Sequence, residues 1–293
     1  MLSRRDFLKA GLFAGAAIVL PQATRASSMP SILWMGWDGA DYRTITNLLA
    51  AGQLPNLGRL HTVRLDCAGC TQTKPGWVEI VNGLEYSQTG VYTNKRYKEV
   101  AREKTLFWRL KKSLPSYWCG CVLSKKNHTG DGPGEPWRPV RPWALAGGLD
   151  YYCSARQVGH NLSIAETNYC LGEMLSRLRA PGLIFCHYAR PDRSGHESGM
   201  DSPEYQADIL ALDEALGWAM SAMQPEVVIV CSDHGFNHSG ARAHTDAPDG
   251  FISSTLALRD EGVRRDVGYT VARILGLPLE SWSPPLRGKD LRL

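Results

Sequence analysis

Short apolar runs alternate with amphipathic stretches along most of the chain. SILWMGW at 31–37, TVRLDCA at 62–68, Trp118 to Ser124, LIFCHYA at 183–189 and VVIVCSD at 227–233 are too short for buried helices and rich in branched and aromatic residues. Such runs predict buried strands. Helical periodicity fills the intervals, at Tyr42 to Ala51, at about 105–113, 162–179 and 203–223, and in RRDVGYTVARILG at 264–276. TKPGWVEIVNGL at 73–84 adds a helix with Pro75 in its first turn and Gly83 suited to close it. Strands alternating with helices predict an α/β fold, a mostly parallel central sheet sandwiched by helices. The stretch 128–148 is rich in Gly, Pro and Trp and reads as a long loop or small cap, within a region of about 125–160.

The N-terminus breaks this rhythm. Arg4 and Arg5 stand in S-R-R-x-F-L-K, a short apolar run follows, and Ala26 is a suitable cleavage residue. This is the pattern of a twin-arginine signal peptide over residues 1–26, too short and too flanked for a spanning helix. The expectation is a substrate of the twin-arginine export machinery, periplasmic or secreted, with residues 27–293 forming one domain and no transmembrane anchor in the mature chain.

That segment carries Arg4, Arg5, Lys9 and Arg25 against Asp6 alone, so its removal takes the formal net charge from +4 to +1. A surface so nearly balanced removes the main support for nucleic-acid binding. Cys186 and Cys231 lie in apolar runs and read as small buried hydrophobes. Cys67, Cys70, Cys119 and Cys121 leave disulfides, free thiols or a structural zinc site open, although one residue between Cys119 and Cys121 is poor zinc spacing.

The polar chemistry gathers just past the predicted strands. Asp38 follows the first, Asp192 and His196 follow LIFCHYA where that strand gives way to a loop, and Asp233 and His234 follow VVIVCS. Ligands bind beyond the carboxyl ends of strands in such sheets. Carboxylates and imidazoles are ligands for zinc and its first-row neighbours. Each residue has an ordinary reading alone: Asp38 and Thr73 as helix caps, Asp233-His234 as a turn, His244 as a surface loop residue. Three strand ends each presenting an acid are harder to explain that way.

In order, D-G, T-x-P, an asparagine, PDxxGH at 191–196, SDHG at 232–235 and HT-x-x-P from His244 resemble the alkaline phosphatase superfamily. The branch most similar is that of the type I phosphodiesterases and nucleotide pyrophosphatases. The resemblance runs from about Ile32 to Leu291. It implies an ester hydrolase with two divalent metal ions, zinc or alternatively manganese. One ion would be held by Asp192, His196 and His244, with His238 a weaker substitute for His244. The other would be held by Asp38, Asp233, His234 and the nucleophile Thr73, and Asn94 would hold a non-bridging phosphoryl oxygen. A threonine hydroxyl needs such help, because it is a weak nucleophile at neutral pH.

Two departures bear on the small phosphoester substrate. Lys74 stands where the nucleotide-acting branch commonly has an aromatic residue, which points to a more anionic substrate. KKNHTG resembles the K-x-H-x-G element of sulfatases through Lys126, His128 and Gly130. The sulfatase C/S-x-P-x-R sequence is nevertheless replaced by Thr73-Lys74-Pro75-Gly76-Trp77. A phosphodiesterase is the leading expectation. A phosphomonoesterase or sulfatase-like hydrolase comes next, and a non-catalytic protein binding a metal or an anion is the alternative of a different class.

Overall fold

The computed structural model describes residues 29–67, 69–98, 100–126, 149–237, 242–247 and 249–293. The twin-arginine segment, the stretch 128–148 with His128, and His238 lie outside the described residues. In chain order the strands are β1 (Ile32–Trp37), β2 (His61–Asp66), β3 (Trp118–Leu123), β4 (Tyr151–Ser154), β5 (Gly182–Tyr188), β6 (Val227–Cys231), β7 (Asp249–Ser254) and β8 (Glu261–Val263). The longer helices are α1 (Tyr42–Ala50), α2 (Thr73–Asn82), α3 (Leu106–Ser113), α4 (Ile164–Leu175), α5 (Asp192–Ser198), α6 (Pro203–Met223) and α7 (Arg264–Ile274).

The strands form one sheet in the order β4-β3-β5-β1-β6-β7-β2-β8. All neighbours pair in parallel except β7, which runs against both β6 and β2. Alternation along the buried strands feeds two apolar layers. Ile32 and Trp34 of β1 join Phe185, Trp77, Phe107 and Val271 on one face. Leu33, Met35 and Trp37 join Ile45, Leu171, Ile209 and Leu216 on the other. Helices α2, α3 and α7 therefore cover one face, and α1, α4 and α6 the other, as the near-continuous apolar strands require. No described helix is long and apolar enough to cross a membrane.

The predicted elements are present with small shifts at their ends. Helix α4 starts at Ile164 because Ser163 and Glu166 form a capping box. Gly83 closes α2 in the left-handed conformation. Two differences matter for the site. The segment after LIFCHYA is a short helix, α5, rather than a loop, so Asp192 and His196 are one helical turn apart on a single face. Strands β4, β7 and β8 were not expected, and β7 brings its neighbouring residues, among them His244, back to the end of β6. All eight cysteines are free thiols, with Cys119 and Cys121 in the core of β3.

Candidate metal centre and nucleophile

Four adjacent parallel strands, β3, β5, β1 and β6, deliver their carboxyl ends to one place. There Asp38 follows β1, Asp192 opens α5 after β5, and Asp233 with His234 follows β6. All four are buried. The backbone ties them together, with Asp192 N donating to Asp38 O at 2.8 Å and Asp38 N to Tyr188 O at 3.1 Å. Gly39 explains the D-G pair, because its φ is +72° and a Cβ there would lie 2.9 Å from that of Asp192. Its N–H donates to Asp233 Oδ1 at 3.2 Å.

Two groups of donor atoms converge. Asp192 Oδ1 lies 3.4 Å from His196 Nε2 and 3.7 Å from His244 Nε2, and the two imidazole nitrogens are 3.2 Å apart. His234 Nε2 lies 3.7 Å from Asp38 Oδ1 and 3.5 Å from Asp233 Oδ2, and these three residues form a second group. It also lies 3.8 Å from Asp192 Oδ1, so His234 stands between the two groups. Donors on one tetrahedral ion, with bonds of about 2 Å, are separated by roughly 3.3 Å.

The hydrogen bonds fix the tautomers. Nδ1 of His196 faces Arg242 O at 2.9 Å and Nδ1 of His234 faces Gly235 O at 2.9 Å. Each Nδ1–H donates to a carbonyl, which leaves the Nε2 lone pair for a ligand. Asp192 Oδ1, Asp233 Oδ2 and His234 Nε2 are buried without a hydrogen-bond partner. Buried polar atoms are ordinarily paired, so three orphans aimed at one space fit a cation site. The charge balance agrees. Burial, joined by the Asp38 charge, pushes the Asp233 carboxyl well above its usual range. Burial and neighbouring His244 push His234 down to about 3, which keeps its imidazole neutral. A cation between these groups would relieve both Asp233 and the orphaned lone pairs.

The comparisons with known proteins fit this geometry. Residues 154–276 match a family model described as type I phosphodiesterase / nucleotide pyrophosphatase. The match spans 123 of the 293 residues and indicates a hydrolase acting on phosphoester bonds. Among solved structures it is similar to murine ectonucleotide pyrophosphatase/phosphodiesterase 5, in an inactive form with AMP, at 12% identity and a TM-score of 0.58 over 89% of this chain and 97% of that one. Similarity extends to the lipoteichoic acid synthase LtaP from Listeria monocytogenes, at 13% identity and a TM-score of 0.61 over 89% and 75% of the two chains. A 2-O GAG sulfatase gives 13% identity and a TM-score of 0.62 over the same shares. At such identities the structures share an alkaline phosphatase-like fold with the enzyme. No curated protein matches its sequence.

Within the enzyme, Thr73 is the first residue of α2 and is buried, as is the whole of that helix. Its hydroxyl does not cap the helix, since Gln72 holds the capping position. Nor does Asp38 cap α1, because Asp41 accepts from Arg43 N and Thr44 N at 3.0 and 3.2 Å. Asn94 is brought beside Thr73: its Oδ1 accepts from Lys74 N at 2.9 Å, which leaves Nδ2 as the donor end of the amide. Lys74 is buried with its ammonium 3.8 Å from the centre of the Tyr97 ring.

Lys126 is directed differently from expectation. Its ammonium donates to Gly159 O at 2.6 Å, and the lysine that enters the centre is Lys125. Lys125 Nζ lies 2.7 Å from Asp192 Oδ2, 3.2 Å from Asp38 Oδ2 and 3.1 Å from Thr73 Oγ1. Burial is the largest influence and works to raise the Asp38 and Asp192 carboxyls. Lys125, acting with His187 at Asp38 and with His196 and His234 at Asp192, outweighs it and holds both below the usual carboxylate range.

Three further residues escaped the sequence reading. His187 Nε2 contacts Asp38 Oδ2 at 3.1 Å, and Trp77 Nε1 donates to the same oxygen at 3.4 Å. Arg264 is buried against Glu79, with Nε 3.0 Å from Oε2, and also donates to the carbonyls of Cys70 and Asp233. It thus ties the loop before Thr73 and helix α2 to the end of β6. Only His187, a polar residue inside an apolar strand run, left a signal in the sequence.

Proposed function

We propose that the enzyme is an exported phosphodiesterase acting through a covalent phospho-threonine intermediate on Thr73 at a two-metal site. The observation that carries this reading is the convergence of neutral imidazole lone pairs and unpartnered carboxylate oxygens in two groups beside one buried hydroxyl. Two divalent ions, zinc by donor chemistry with manganese as the alternative, would be held by Asp38, Asp233, His234 and Thr73 on one side and by Asp192, His196 and His244 on the other, supplying positive charge for the threonine alkoxide and the departing oxygen.

Thr73 Oγ attacks phosphorus in line with the ester oxygen that leaves. The new Oγ–P bond forms as the P–O bond to the leaving alcohol breaks. Water then attacks phosphorus, the Oγ–P bond breaks, Thr73 Oγ regains its proton and the phosphomonoester leaves. Asn94, held by its Oδ1 on the first turn of α2, presents Nδ2 to an equatorial oxygen whose charge grows in the transition state. The start of α2 adds favourable potential for an anion at Thr73. The S-R-R-x-F-L-K segment supports export, and with it work in the periplasm or outside the cell.

Sulfate transfer is less well supported, because position 73 carries threonine where the sulfatase sequence has the cysteine or serine that is oxidised. The test is Thr73→Ala, assayed on aryl phosphodiester, phosphomonoester and sulfate esters with metal content measured in parallel. We expect turnover to vanish while two metal equivalents remain. Diester hydrolysis that survives the substitution would overturn the covalent mechanism, and a faster sulfate ester would overturn the substrate class.

A further inference from the structure

We infer that Lys125 is a catalytic residue, whose ammonium holds Thr73 Oγ and binds a non-bridging oxygen of the group being transferred. The inference rests on the phosphoester reading above. Lys125 is the second residue after β3, and its backbone is anchored on both sides of the neighbouring strand end. Ser124 N donates to His187 O at 3.2 Å, and Ser124 Oγ accepts from Ala189 N at 2.5 Å. The side chain therefore leaves a fixed point and crosses the carboxyl end of β5 towards β1.

Its ammonium sits among three partners that belong to different parts of the site. Asp192 belongs to one donor group, Asp38 to the other, and Thr73 is the nucleophile. A counter-ion for buried carboxylates would account for the first two contacts. It does not account for the third, since a neutral hydroxyl needs no charge compensation. The contact lies on the atom that must lose a proton and form the bond to phosphorus. The Lys125 side chain keeps 15% of its surface exposed while that of Asp38 has none.

An ammonium has three N–H donors on a compact, rotatable head. When the carboxylates of Asp38 and Asp192 turn to a bound cation, the head keeps its fixed stem and has a donor to spare. The nearest acceptor that substrate binding introduces is an oxygen on the phosphorus that Thr73 attacks. A donor already aimed at that region needs no reorganisation as charge builds on the phosphoryl oxygens.

The test uses the zinc-loaded full chain, with Lys125→Met, Lys125→Arg and, in case the methionine variant does not fold, Lys125→Gln. Three quantities are read: bound zinc, kcat on an aryl phosphodiester, and the dissociation constant for inorganic vanadate. We expect zinc content to be unchanged, kcat to fall by about 100-fold or more, and vanadate to bind at least ~10-fold more weakly. Arginine should recover part of both losses, because it restores the charge and donors in a different shape. Variants that keep kcat and vanadate affinity within ~3-fold of the unchanged enzyme would overturn the proposal. So would a loss that follows zinc content and is reversed by saturating zinc, which marks a structural counter-ion. Failure of the underlying reading looks different: the unchanged enzyme would not bind vanadate, or Thr73→Ala would still turn over the diester.

Discussion

At the centre of the site the carboxylate of Asp38 receives three donors, His187, Trp77 and Lys125, while its Oδ1 also faces His234. Such partners set the direction of a ligand oxygen as well as its charge. His187 is the clearest instance, since its Nδ1 side faces Ser124 Oγ at 3.4 Å and its ring packs edge-on against Trp77. Removing the imidazole takes away one of the three donors that orient Asp38 without touching His196 or His244. For His187→Ala we therefore expect zinc at the Asp38 side to bind about 10- to 100-fold more weakly, with the Asp192 side unaltered. A zinc titration that resolves two equivalents checks this. Both equivalents weakened to the same degree would mean that His187 supports the fold as a whole.

Helix α5 shows how an element too short to be read from its sequence can carry the site. Its sequence, DRSGHES, has no apolar periodicity, because the residues it buries are Asp192, Ser194 and Gly195. Gly195 is required by close packing: a Cβ there would lie 2.5 Å from the Phe236 ring. That ring in turn packs against His196, His234 and His244, at 5.3, 6.1 and 5.4 Å between centroids. We expect Gly195→Ala to cost about 1–3 kcal/mol by overpacking, visible as a lower Tm, and to weaken zinc binding through shifted imidazoles. An unchanged Tm would show that Phe236 can move aside.

The same contrast explains how far the sequence was legible. The four buried parallel strands β1, β3, β5 and β6 and the helices between them were readable because two apolar layers leave near-continuous runs and 3.6-residue periods. Past the strand ends, Asp38, Asp192, Asp233 and His234 were legible as residues standing where such sheets bind ligands. Strand β7 was not, since DGFISS is half polar and pairs antiparallel between β6 and β2. Lys125 was indistinguishable from Lys126, because which of two adjacent lysines points inward depends on how β3 ends.

Over the whole molecule the packing of three carboxylates against a single ammonium sets how stability responds to pH. In the metal-free chain Asp233 has a folded value well above its ordinary 3.8 because of burial and Asp38. Between those values the folded state holds a proton that the unfolded state has released, so stability falls as pH rises through the folded value. His196, raised by its bond to Asp192, acts in the same direction above the ordinary imidazole value. Buried His234, pushed down to about 3, acts oppositely: the unfolded chain binds the extra proton up to the ordinary value of 6.5, so stability rises with pH to that point and then levels. Asp38 and Asp192, both lowered, contribute only losses at still more acid pH. Metal-free protein should therefore be most stable near about pH 6.5 and lose Tm on the alkaline side. Zinc requires the deprotonated Asp233 and neutral imidazoles, so the gain in Tm on adding it should grow as pH rises from the ordinary imidazole value of about 6.5 into the alkaline range. Asp233→Asn should flatten much of the alkaline loss in the metal-free protein. Thermal unfolding across that range, with and without zinc, decides the matter, and a zinc-induced gain independent of pH would contradict the assignment of Asp233 as the carboxylate most in need of a cation.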